Sequence, residues 1–225
     1  MELDTLQALY LEGLRDLYSA ENQIMKALPK MQKAASSPEV QEAFATHLAQ
    51  TEQQIQRLER IFADLGEKPT GKHCKGMEGL IAEGADLMKE DADPDVMDAG
   101  LIASAQHVEH YEMAGYGTVR TYAELLGFDD HMDLLQQTLN EEEETDQILT
   151  EIALTSVNLA AMSGDEGDGR QGGMGDEMEG GSGSGMGSGT GSGSRTAGKT
   201  PAKKSMGGAR KTSGSRSTSG GRGKK

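Results

Sequence analysis

Five carboxylates and one imidazole fall where a helical protein should be apolar. At about 100° per residue, Glu21 lies near the middle of a stripe made by Leu14, Leu17, Tyr18, Met25 and Leu28. Glu109 shares its azimuth with Ile102, Gln106, Met113 and Tyr116, and Glu112 stands to one side. Glu142 and Asp146 are in line with Leu135, Leu139 and Leu149. A further stripe holds Thr51, with His47 just off centre, Gln54 further off and Glu52 on the other flank. Burying an ionised carboxylate costs several kcal/mol even after relaxation. A whole domain has a net stability of only about 5–15 kcal/mol. Acids in such positions need cations, shared protons or arginine partners, and few bases share their stripes. Two divalent or trivalent ions meet the need directly, and carboxylate with imidazole is a donor set for iron or manganese.

Each residue has a plainer reading beside this one. Glu142 sits in the run Glu141–Glu144, and such runs are usually solvated faces. Glu21 alone also reads as a cavity or interface acid, and His47 alone as a satisfied core histidine. His73, His107, His110 and His131 lie off the stripes or near helix starts and connections. The metal reading rests on convergence: polar groups at mid-height on each of four helices.

Those helices are legible from spacing. Apolar stripes run over residues 5–35, 38–65, 93–126 and 129–161. Asp4 or Thr5 opens the first, and Ser37-Pro38 and Asp93-Pro94 place proline at the first helical position of the second and third. The first and last connections are very short, which makes antiparallel neighbours. The middle one is long and holds a short amphipathic piece near 77–88. Short, long, short is the order of an all-α, ferritin-like four-helix bundle with one crossover. The absence of Trp, with only three Phe and five Tyr, argues against a sandwich or barrel.

Composition divides the chain further. It has 225 residues and a net charge of −15. Residues 1–162, the expected bundle, carry 31 acids and 11 bases. Residues 163–195 are expected to form a disordered Gly/Ser-rich linker, and residues 196–225 a disordered basic tail. After residue 180 there are ten bases and no acid. Such an arm makes weak, sequence-blind contacts with nucleic acid or another polyanion, or docks on its own acidic body. One cysteine, Cys74, excludes a disulfide framework and a cysteine-only zinc site. No apolar run approaches the roughly 20 residues of a membrane span, and the acidic start lacks a signal core. The chain therefore reads as cytoplasmic, with no membrane partner. No Ser/His/Asp or Cys/His nucleophile and no phosphate loop stand out.

Asp16-Leu17-Tyr18-Ser19-Ala20-Glu21, Cys74-Lys75-Gly76-Met77-Glu78-Gly79-Leu80-Ile81, Val108-Glu109-His110-Tyr111-Glu112 and Thr145-Asp146 carry a resemblance. Over residues 4–162 the chain resembles the YciE/YciF stress-protein family of ferritin-like bundles, distantly similar to rubrerythrin. The resemblance implies a homodimer and a two-ion iron or manganese site. Glu21 and Glu142 are then terminal ligands and Glu109 a bridge, with Asp146 and His47 completing the shells; Glu109-x-x-Glu112 is similar to the extra acid of rubrerythrin. Gln50 stands where the family has Glu, which leaves one half-site a charge short, and Gln54 stands where Gln or His is expected. Tyr18 and Tyr111 are read as nearby hydrogen-bonding groups or as core. The chemistry implied is a di-iron oxidoreductase of the peroxidase or ferroxidase kind, reacting with peroxide or dioxygen. The alternative is a non-enzymatic stress scaffold whose interior is a network of protonated acids and amides.

Overall fold

Each long stripe becomes a helix because its first turn is prepared for one. Thr5 Oγ1 accepts the Ala8 N–H at 3.1 Å and starts α1 (Leu6–Ala34). Pro38 opens α2 (Pro38–Asp64). Within the crossover, Cys74 Sγ accepts the Met77 N–H at 3.4 Å and starts α3 (Lys75–Leu87). Asp93 Oδ1 takes the Asp95 N–H at 3.0 Å, ahead of α4 (Pro94–Leu126). The last stripe, expected as one helix, is α5 (Asp129–Ile152), a π-helical turn (Ala153–Val157) and α6 (Asn158–Ser163). In this computed structural model the described residues are 3–70 and 72–163. The expected linker and basic tail lie outside them, apart from Ser163 at the end of α6. Among the described residues there is no strand, and no helix is long and apolar enough to cross a membrane.

Ser37 holds the cap position of α2, yet its side chain makes no capping bond. The work is done from α4. Buried Asp98 accepts the Ser36 N–H at 2.8 Å and the Ser37 N–H at 2.7 Å with its two oxygens. A carboxylate suits the positive end of a helix, and this one also ties the α1–α2 turn to the next helix pair.

The bundle is two hairpins, α1–α2 and α4–α5, with α1 packed on α4 and α2 on α5. A Cβ on Gly13 would stand 2.7 Å from Val119 Cγ1, and one on Gly115 would stand 2.7 Å from Leu17 Cδ2. The two glycines, one from each helix, set the close antiparallel approach of α1 and α4. Apolar side chains form two clusters. One includes Ile24, Leu28, Phe44, Leu101, Ile102 and Leu149. The other includes Tyr10, Leu14, Leu58, Phe62, Tyr116 and Leu135. On each of the four long helices, the residues between these clusters are the polar ones of the next section.

A clasp holds the crossover. Cys74 N–H donates to Ser19 Oγ at 2.9 Å, and Tyr111 O–H donates to Asp16 Oδ2 at 2.6 Å. Cys74 Sγ lies 3.0 Å from the same Tyr111 oxygen and 3.3 Å from Asp16 Oδ2. A Cβ on Gly76 would come within 2.8 Å of the Tyr111 ring. These residues belong to three of the segments that carry the family resemblance, and their task is to seat α3 against α1 and α4.

Candidate metal centre

Between the two apolar clusters lies a buried layer of acids around one histidine. One donor atom each of His47, Glu109, Glu112 and Glu142 lies within 4.8 Å of the others. His47 Nδ1 is 3.0 Å from Glu109 Oε1, and His47 Nε2 is 3.9 Å from Glu142 Oε2. Glu21, fully buried on α1, accepts a short hydrogen bond from the Tyr116 hydroxyl and interacts with both Glu112 and His47. Gln54 Nε2 donates to Glu142 Oε1 at 2.6 Å. All these side chains are buried.

The layer carries more acid than its hydrogen bonds can satisfy. With the acids ionised, Glu21 Oε2, His47 Nε2, Glu109 Oε2, both oxygens of Glu112 and Glu142 Oε2 have no hydrogen-bond partner. Buried polar atoms are nearly always paired, so protons or cations must fill the gap. Burial pushes the Glu21 carboxyl up to about 7, against the pull of Tyr116 and His47. Burial, then the charges of Glu21, Glu142 and Glu109, push Glu112 well above the usual carboxylate range. Burial, then Glu109 and Glu21, do the same to Glu142. Burial pulls the His47 imidazole down, but Glu109 and Glu21 outweigh it and favour the charged ring. Metal-free, the raised Glu21, Glu112 and Glu142 carboxyls favour protons that bridge Glu112 with Glu21 and Glu142 with its neighbour Glu109.

Not every residue singled out by spacing reaches this layer. Asp146 is partly exposed, and its Oδ1 accepts Gln106 Nε2 at 3.0 Å and lies 3.3 Å from His110 Nε2. It has the azimuth of Glu142 but sits one helical turn further along α5, so its carboxyl finds partners on α4 instead. Gln50 is half-buried, with Oε1 accepting the Thr145 hydroxyl at 3.4 Å. It faces the α2–α5 seam, away from the acids, and its lost charge is not lost from the layer. Gln54 is placed beside Glu142. Glu112, expected to one side, is among the most enclosed, at 0% exposure.

The acidic run divides by direction. Glu142 points inward, Glu143 and Glu144 are exposed, and Glu141 pairs through both oxygens with Arg57, at 2.7 and 2.6 Å. The tyrosines rearrange too. Tyr18 donates to Glu59 at 3.1 Å and Tyr111 belongs to the clasp, so neither serves the acids. Tyr116 does, and the signal was its place on the Glu109 stripe, four residues beyond Glu112.

The family model described as a domain of unknown function, DUF892, matches residues 5–162. Protein YciF of Escherichia coli K12 is 41% identical over 162 residues, which cover 72% of this chain and 98% of that protein. The crystal structure of the E. coli stress protein YciF matches with a TM-score of 0.67 over 69% of this chain and 99% of that one. YcfI from Rhodopseudomonas palustris is 45% identical, with a TM-score of 0.65 over 66% and 95%. A Xanthomonas campestris protein, at 16% identity and a TM-score of 0.58, shares the fold.

Proposed function

Since the chain belongs to the DUF892 family, we propose that it is a stress protein like YciF whose buried acid layer is a carboxylate-rich site for two ions of iron or manganese. The observation that supports this is the set of six donor atoms on Glu21, His47, Glu109, Glu112 and Glu142 that no hydrogen bond satisfies. Their types fit: oxygen and imidazole nitrogen are the donors these metals take. Glu21, Glu109, Glu112, Glu142 and His47 would hold the ions; Asp146 and Gln50 would not. Bound iron would supply one-electron chemistry toward dioxygen or peroxide, which makes a ferroxidase- or peroxidase-like activity the expected one.

The surrounding chain has its own duties in this reading. Tyr116 fixes Glu21 by donating to it, and Gln54 fixes Glu142. Such outer partners orient ligands and tune them. The Arg57–Glu141 pair closes the α2–α5 seam beside Gln54. The apolar clusters on either side keep bulk water from the acids. Metal uptake must displace the protons on Glu112, Glu142 and His47, so affinity should rise with pH.

The test is elemental analysis of the full chain purified without chelator, and again after anaerobic ferrous iron addition. About two ions per chain are expected for two carboxylate-held metals. No metal after iron addition would refute the reading. The protonated network joined by the Gln54–Glu142 and Tyr116–Glu21 bonds would then be the finished interior of a scaffold protein. The homodimer and the polyanion contact of the basic arm remain part of this proposal, to be checked by sedimentation and by salt-dependent nucleic-acid binding.

A further inference from the structure

An apolar cavity of about 60 Å³ lies between α1, α3 and α4. Leu28, Ile81, Ala105 and Val108 wall it, and His47 and Glu109 line it too. Both of these residues carry a buried atom without a hydrogen-bond partner. Exposed Lys30 also borders the space, so it connects the surface under α3 with the acid layer. We propose that this cavity binds a small, uncharged, apolar molecule of dioxygen's size beside His47 and Glu109.

Size and lining select that class. One water takes about 30 Å³ of liquid, and an apolar cavity near 150 Å³ accepts benzene. The space here suits a molecule of a few heavy atoms. Its walls are mostly apolar, with polar groups at the Lys30 and Ser104 border and where His47 and Glu109 enter. Hydrogen peroxide would surrender its hydrogen bonds to water on entry, a cost of a few kcal/mol, whereas dioxygen has none to lose.

Gly84 adds an independent argument. It lies buried inside α3 and borders the cavity. A Cβ there would meet Ser104 Cβ at 3.6 Å, an ordinary contact, and its φ is not in the left-handed region. Packing therefore does not require glycine, although glycine within a helix costs about 0.5–1 kcal/mol relative to alanine. What the missing side chain preserves is open volume.

What the bound molecule does at the acids rests on the metal reading above, but its binding does not. The probe is xenon, titrated under pressure into the full chain stripped of metal by chelator. Methyl resonances of Leu28, Ile81 and Val108 should shift and saturate, and the shifts should disappear in Ala105→Leu. Gly84→Ala, which the fold accommodates, should weaken them. Absence of saturable shifts in the wild type, or equal shifts in both variants, overturns the proposal even if the chain holds iron. With iron loaded anaerobically, Ala105→Leu should slow oxidation by dioxygen and leave oxidation by peroxide unchanged. Equal slowing by both overturns the choice of an apolar molecule. If no iron loads, the metal reading fails and the xenon result alone decides the cavity.

Discussion

Replacing Glu112 by Gln exchanges a buried acid for an amide shaped like its protonated form. In the metal-free protein, burial and the charges of Glu21, Glu142 and Glu109 hold the Glu112 carboxyl well above the 4.5 near which the unfolded chain ionises it. Each pH unit over which the folded group keeps a proton that the unfolded chain releases costs about 1.4 kcal/mol. The folded pKa lies above the unfolded one, so stability from this group is complete below pH 4.5 and falls as pH rises. The amide removes the cost, and its own fit loses about 1 kcal/mol. The variant should be more stable than the wild type at pH 7, and each kcal/mol gained should raise Tm by roughly 2–4 °C in a domain of this size. At pH 5, close to the unfolded value, the wild-type cost is nearly gone, so the gain should vanish. Thermal unfolding of chelator-treated wild type and variant, followed by circular dichroism at pH 5, 6 and 7, gives the comparison. Metal content of the untreated variant should fall, because an amide is a poor ligand for these ions. A variant destabilised equally at pH 5 and 7, with the slope of Tm against pH unchanged, would refute the proton-held layer.

Three further outcomes follow from the geometry. Asp98→Ala leaves the Ser36 and Ser37 N–H groups without their acceptors and should cost about 3 kcal/mol in urea unfolding, given about 1.5–3 kcal/mol for a bond to a charged group. Gly76→Ala drives a Cβ toward the Tyr111 ring and should cost about 1–3 kcal/mol; Gly79→Ala, with no atom within 4 Å, should be neutral or gain up to about 1 kcal/mol. In a mobility-shift titration, the full chain should bind nucleic acid weakly at low salt and release it near physiological salt. A chain ending at Ser163 should not bind at all.

The helices were legible because each long element keeps its apolar stripe, and a cap residue or an N-terminal proline marks the start of the first three. Azimuth alone does not give height along the axis, and Asp146 shows the difference. It shares the direction of Glu142, yet one turn moves its carboxyl from the acid layer to Gln106 and His110. Gln50 shows a second limit, because a family position says which residue aligns and not which way its side chain faces. The Asp16–Cys74–Tyr111 clasp and the Asp98 cap join residues 37 to 95 positions apart. No local pattern could pair them. The split of the Glu141–Glu144 run, by contrast, is ordinary helical rotation, and only the partner Arg57 had to come from another helix.

The donor groups are shared between the hairpins in a way that bears on assembly. α1 and α2 bring Glu21 and His47, whereas α4 and α5 bring Glu109, Glu112 and Glu142. Neither hairpin alone can surround an ion with all five. On the proposed metal reading, occupancy is therefore a logical conjunction of two halves, and affinity for metal would measure how often the seam between them is shut. On that reading a chelator would loosen the seam at the acid layer and leave the bundle folded. It would raise amide exchange only in the turns of α1, α2, α4 and α5 that carry the five donors, while each hairpin's own turn and both apolar clusters stay protected.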